Sequence, residues 1–166
     1  MAEPTNGGTA TTPGDTRRQV IINAQYVKDL SFENPRAPQS LLQQGAQPDV
    51  QINVDVKAGT LAPDIYEVIM TLRADAKQGA DSMFVVELVY GAVVTLANTP
   101  QEDAATALMV ETPRQMFPFA RSILAEVTRD GGFTPLLLNP IDFQEIYARR
   151  SAAAAAGAPS TGPITA

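Results

Sequence analysis

The chain has 166 residues, 45% of them hydrophobic and 18% charged, which is enough for one domain with a substantial core, and its net charge of −6 makes the surface acidic. Its basic residues adjoin only as Arg17-Arg18 and Arg149-Arg150, so the cationic cluster that nucleic-acid binding requires is missing, and basic partners fit better than nucleic acid. There is neither Cys nor His, which excludes disulfides, most nucleophile–base pairs and soft-metal sites.

Residues 1–17 are rich in Thr, Gly and Pro, lack a periodic apolar face and read as a disordered tail. They have no apolar stretch behind a basic start, so no signal peptide is expected. No run approaches the roughly 18 apolar residues of a membrane span. A cytoplasmic protein without direct membrane insertion is expected, folded over residues 18–150. The segment 151–166 opens with alanines able to prolong a helix, turns to Gly, Pro, Ser and Thr, and reads as a second disordered tail.

Period-two alternation predicts four strands. In QVIINAQYV, Val20, Ile22, Ala24 and Tyr26 are expected to share a face. Beyond it, Leu30 and Phe32 sit between Asp29 and Glu33, where the strand is expected to give way to a loop ending in Pro35 and Pro38. In VQINVDV, Val50, Ile52, Val54 and Val56 oppose Gln51, Asn53 and Asp55. IYEVIMTLRADA sets Tyr66, Val68, Met70, Leu72, Ala74 and Ala76 against Glu67, Thr71, Arg73 and Asp75. Turn residues Lys77 to Asp81 then lead into MFVVELVYGAVVTLA, closing a hairpin.

That last strand is apolar on both faces, with Phe84, Val86, Leu88, Tyr90, Val94 and Leu96 on one and Met83, Val85, Val89 and Val93 on the other. Glu87 is its one charge. An antiparallel sheet usually keeps one wet face, so the second requires a cover: the chain's own 29–49 segment, another subunit or a ligand.

Three helix starts follow. Thr99-Pro100-Gln101-Glu102 carries a capping-box pattern, and Thr112-Pro113-Arg114-Gln115 has a similar start. The second precedes a stripe of Met116, Ala120, Ile123 and Val127 with Phe119 and Leu124 beside it, bent by Pro118 and stopped at Gly131-Gly132. Asn139-Pro140 opens the last helix. Strands first and helices after predict an α+β fold, a four-stranded antiparallel sheet with helices packed on one face.

Catalytic patterns are missing: there is no Walker loop, no G-x-G-x-x-G and no G-x-S-x-G. Asp29 and Glu33 have no accompanying catalytic group, and Asp64 and Glu67 read as the polar start and outer face of a strand. No enzyme and no cofactor is expected.

The segment YVKDLSFENPRAP resembles Y-x-K-D-[IL]-S-F-E-x-P-x-A-P, the mark of the SecB family of export chaperones. The resemblance continues through QPDVQINVDV, LAPDIYEVIMTLRADA and FVVELVYGAVVTLAN, and resumes at FPFARSILAEVTRDGGFTPLLLNPIDFQEIY. It implies a homotetramer, a dimer of dimers, acting as an ATP-independent holdase that delivers unfolded precursor polypeptides to the SecA motor ATPase. It implies SecA docking at Asp29, Glu33, Val85 and Glu87. It also implies client-groove or subunit-interface roles among Tyr26, Phe32, Val86, Leu88, Tyr90, Phe117, Phe119 and Ile123. No acid follows Glu145, so the family's acidic-tail contact with SecA is not implied here. From the residues alone, a carrier for one apolar ligand remains the alternative.

Overall fold

The computed structural model describes residues 17–42, 48–157 and, as backbone, 164–165; the expected N-terminal tail, apart from Arg17, lies outside the described residues. Strands β1 (Gln19–Glu33), β2 (Asp49–Ala62), β3 (Ile65–Gln78) and β4 (Asp81–Ala97) form one antiparallel sheet in the order β1-β4-β3-β2. β2, β3 and β4 make a meander whose tight turns place Asp64 at φ 60° and Gly79 at φ 62°, a region that aspartate and glycine tolerate. Between β1 and β2 lies a short helix, α1 (Gln39–Leu42).

One side of the sheet is roofed by helices. Val86, Leu88, Ala92 and Val94 of β4, with Met70, Leu72 and Ala74 of β3, are fully buried there beneath Met116, Ala120 and Leu124 of the long helix. Three Phe rings close the end of this core: Phe84 lies 5.9 Å from Phe32 and 4.9 Å from Phe133, centroid to centroid. The Phe32 ring rests so closely on Gly131 that a Cβ there would collide with it. Gly132, at φ 89°, makes the left-handed turn that ends the helix.

β1 corrects the expected reading twice. It runs to Glu33, so Asp29 and Glu33 lie within a strand and not at its exit. Two irregularities, between Ile22 and Ala24 and between Val27 and Asp29, shift its pairing with β4. Val20 and Ile22 oppose Leu96 and Val94 on the helix side, whereas Ala24 and Tyr26 oppose Val93 and Gly91 on the other. An extra residue in one strand exchanges the faces of everything after it. The second bulge, at Lys28, reverses the frame again. Without it, Leu30 and Phe32 would face outward and Asp29 and Glu33 would face the core.

The helical half differs in its starts. α2 (Gln101–Thr106), a π-helical turn (Ala107–Glu111) and α3 (Thr112–Asp130) follow one another without a break. The expected capping box at Thr99 does not form: the Thr99 hydroxyl donates to the Ala97 carbonyl at 3.2 Å, and Pro100 precedes the helix with no side-chain cap. Thr112 is buried inside the helix rather than capping it, its hydroxyl donating to the Ala107 carbonyl at 2.9 Å. Pro113 has no N–H for a regular helical bond, and the widened turn that precedes it falls where that register breaks. After Thr112 and Pro113, the buried residues of α3 are Met116, Phe117, Ala120, Leu124 and Thr128, with Ile123 and Val127 only partly buried beside them.

α4 (Phe143–Ala156) starts at Asp142 and not at Asn139-Pro140: Asp142 Oδ1 accepts the N–H groups of Gln144 at 2.9 Å and Glu145 at 3.1 Å. It continues through Ala156 to Gly157, φ 70°, so the segment expected as a tail from residue 151 begins as helix. Farther on, β5 (Ile164–Thr165) pairs with Ile52 and Gln51 at the β2 edge.

Candidate protein-docking site

The side of the sheet away from the helices carries rows of side chains that follow from strand register. In one row Glu33 of β1, Val85 of β4, Asp75 of β3 and Gln51 of β2 lie side by side. In the next are Ser31, Glu87, Arg73 and Asn53, and in the third Asp29, Val89, Thr71 and Asp55. Directly opposed residues on antiparallel strands share a face at about 5 Å. The expected docking residues Asp29, Glu33, Val85 and Glu87 therefore share one patch. Asp29 and Glu33 are exposed and form no ion pair among the described residues, whereas Val85 and Glu87 are half-buried.

One arginine serves the centre of the patch. Arg73 directly opposes Glu87; its Nε and Nη2 donate to the two oxygens of Asp75, each at 2.9 Å, and its Nη1 donates to Glu87 Oε2 at 3.3 Å. These carboxylates hold the guanidinium pKa above its ordinary value, Asp75 more than Glu87. Farther along the same face, Tyr26 lies across Gly91 and its hydroxyl donates to Glu67, which Lys28 also reaches at 2.9 Å. That bond pushes the Tyr26 phenol up to about 12 and, with Lys28, holds the Glu67 carboxyl below its usual value. Tyr26 and Arg73 thus cover part of the second apolar face of β4 from within the chain.

The residues expected in a client groove or interface separate by burial. Val86 and Leu88 are fully buried on the helix side, and Tyr90 and Phe117 nearly so. Val86 and Leu88 therefore present no surface in the folded protomer, lying in the core beneath the helices. Phe117 packs edge-on against Phe143, with centroids 5.9 Å apart. Phe32 is half-buried in the aromatic cluster, Ile123 is partly buried, and Phe119 is 55% exposed.

Two concavities were not foreseen. One, of about 260 Å³, lies between β2 and the segment leading into α4 and is lined by Ile52, Val54, Leu138, Ile141 and Ile146. The other, of about 460 Å³, continues along β2 beneath Tyr147, Met109 and Arg150. Arg150 closes that edge by donating to Asp55 at 2.8 Å and to the Val56 carbonyl. Pro140, expected only as part of a helix start, lines the first of them.

A family model described as preprotein translocase subunit SecB matches residues 14–154. The chain belongs to the SecB family. It is 49% identical over 143 residues to the protein-export protein SecB of Bradyrhizobium sp. (86% of this chain, 88% of the relative) and 46% identical over 144 residues to that of Paramagnetospirillum magneticum (86% and 92%). With the protein-export protein SecB of Rhodopseudomonas palustris strain BisB18 it shares 44% identity over 162 residues, 96% of this chain and 99% of that one. A SecB-like chaperone of Mycobacterium tuberculosis, solved in complex with an antitoxin peptide, has the same fold at a TM-score of 0.62 and 12% identity, covering 74% of this chain and 90% of that chain. Membership of the SecB family makes this chain a protein-export chaperone rather than an enzyme. The one-ligand carrier falls with it. None of the described helices is long and apolar enough to cross a membrane.

Proposed function

We propose that this SecB-family chain holds unfolded precursors in the cytoplasm without ATP and hands them to SecA, docking the motor on the outward face of its sheet. The observation that carries the docking assignment is the common face of Asp29, Glu33, Val85 and Glu87. Three carboxylates around a half-buried valine offer a basic partner charge and a small apolar anchor, and exposed acids steer such a partner by long-range attraction. The opposite, helix-bearing side supplies the client surface: an apolar concavity beside β2 accepts aliphatic and aromatic segments without demanding one sequence. Engaging several such concavities in an assembly raises avidity for a long unfolded chain.

The assembly we propose is a dimer of dimers. β1 is the outer strand of the sheet, with Val27 47% and Leu30 39% exposed, and Phe119 projects from α3 well away from that edge in sequence. Two separate apolar surfaces suit two kinds of contact.

Titration of purified SecA onto the wild type and onto the Asp29→Lys, Glu87→Lys variant tests the docking assignment. The variant is expected to bind at least tenfold more weakly, while suppressing aggregation of an unfolded client as well as the wild type does, with or without ATP. Equal SecA affinities would remove the docking assignment. A requirement for ATP would remove the holdase mechanism.

A further inference from the structure

We infer that Arg73 is the internal counter-ion of the docking face and sets how tightly it holds a basic partner, with Asp75 as a fourth carboxylate of that face. This rests on the docking assignment above and adds two residues to it. Asp75 occupies the row of Glu33 and Val85, separated from Glu33 by one strand, and Arg73 stands directly opposite Glu87. Adjacent strands are about 4.8 Å apart and each residue rises about 3.3 Å, so Glu87 lies within about a Debye length, ~10 Å at 0.1 M salt, of each of Asp29, Glu33 and Asp75. Four like charges so close repel, and Arg73 relieves two of them.

The fork geometry divides the patch. Arg73 grips Asp75 through two N–H groups at 2.9 Å and reaches Glu87 through one at 3.3 Å, so the hold on Glu87 is the weaker. Asp29 and Glu33 face solvent without such a partner among the described residues. An arriving cation meets those two acids first and then shares Glu87 with an arginine that already satisfies part of its charge. Arg73 thereby competes with the partner and keeps the complex weak enough to release.

A purely structural role for the same ion pairs predicts the opposite sign. If Arg73 only props Glu87 into position, its removal lets the carboxylate swing away and docking weakens. If it is a counter-ion, its removal exposes the full charge and docking tightens. Arg73→Gln is therefore expected to bind SecA about three- to tenfold more tightly than the wild type at low salt, with a steeper loss of affinity as salt rises. Arg73→Lys, which keeps the charge but loses the fork, should stay close to the wild type. Asp75→Asn should bind more weakly, because the released guanidinium turns wholly to Glu87 and one carboxylate is gone.

The experiment titrates SecA onto wild type, the three variants and Asp29→Lys, Glu87→Lys at two salt concentrations, with native mass and client holding measured on each. Tighter, more salt-sensitive binding by Arg73→Gln together with wild-type-like Arg73→Lys supports the counter-ion role. Weaker or unchanged binding by Arg73→Gln, or equal tightening by Arg73→Lys, overturns it. Should Arg73→Gln fail to assemble, Asp75→Asn decides: affinity at or above the wild type overturns the role. If Asp29→Lys, Glu87→Lys binds SecA as well as the wild type, the docking assignment itself is lost. If only that variant weakens and the Arg73 series is flat, the assignment stands and the counter-ion role alone is overturned.

Discussion

Tyr26 lies flat over Gly91, so close that a Cβ on Gly91 would sit 2.5 Å from the Tyr26 ring carbon Cζ. Glycine is needed here for space and not for an unusual backbone. The ring crosses β4 in order to reach Glu67 on β3, and the contact ties three strands together on a face no helix covers. Gly91→Ala is expected to displace the ring, break its bond to Glu67 and destabilise the protomer by about 1–3 kcal/mol. Tyr26→Phe, which keeps the ring, should cost only about 1 kcal/mol, as one part-exposed hydrogen bond does. Urea midpoints of the two variants check the order.

The same contact carries a pH signature. The unfolded Tyr26 phenol titrates at its ordinary value of 10, and in the fold it is raised to about 12 by its bond to Glu67 and by burial. A raised folded value means that the stabilisation is complete below pH 10 and is lost as the pH climbs through about 12. Glu67, held low by Tyr26 and then Lys28, contributes above the ordinary carboxylate range and loses its share as the pH falls through its folded value. The stability difference between wild type and Tyr26→Phe should therefore hold from about pH 6 to 10 and shrink in stronger alkali, because the substitution removes the titrating group. A difference constant across that alkaline range would show that the bond to Glu67 contributes nothing.

Where the sequence could be read, one face of an element dominated. β2 and β3 alternate through their centres, so their faces follow from period two, with register shifts only toward the ends at Thr60/Ala62 and Ala76/Lys77, and Glu87 stands out as the one charge within the apolar run of β4. β1 resisted the same logic because Asn23 and Lys28 each add a residue that exchanges the faces. Nothing about an asparagine or a lysine within an alternating run announces a bulge. The long helix misled for a different reason: Thr-Pro at 112–113 has the chemistry of a helix start, but the chain before it is already helical and packed on the core. Buried residues on both sides of that point let tertiary packing override a local signal. The concavity beside β2 was invisible because it is made by segments far apart in the chain.

Thr128 gives a third expectation. Its buried hydroxyl donates to the Leu124 carbonyl at 2.8 Å and accepts from the Leu136 N–H at 2.9 Å, joining the end of α3 to the segment that leads to the β2 concavity. Thr128→Val keeps the volume but leaves the Leu136 N–H without its acceptor, a loss of about 1–3 kcal/mol. Thr128→Ser retains the hydroxyl and should lose less than half as much, because only a buried methyl is removed. Client holding by Thr128→Val should weaken as well, since Leu138 lines the concavity just beyond the lost bond. A Thr128→Val variant as stable as wild type would show that another acceptor serves Leu136.

The assembly provides the last test, and burial tells which aromatic to change. Phe117 and Phe119 are two residues apart on α3, but Phe117 is buried against Phe143 whereas Phe119 stands 55% exposed. An exposed phenylalanine on a helix of a monomer is unremarkable singly, but a dimer of dimers requires a second contact besides the β1 edge, and Phe119 lies on the side that the sheet does not use. Burying an unpaired carboxylate in such a contact costs several kcal/mol, enough to break it, whereas the same carboxylate on the free protomer meets water. Phe119→Asp is therefore expected to leave the urea midpoint of the isolated protomer nearly unchanged while lowering the native mass from four chains to two. Phe117→Asp should instead unfold the protomer, because its charge has no route to solvent. Ile123→Asp falls between them, splitting the assembly and costing some protomer stability, since Ile123 packs partly on the core. Native mass spectrometry at micromolar concentration separates the cases. A Phe119→Asp protein that remains four chains would move the second contact elsewhere on the helix, and a wild type of one chain would end the dimer of dimers.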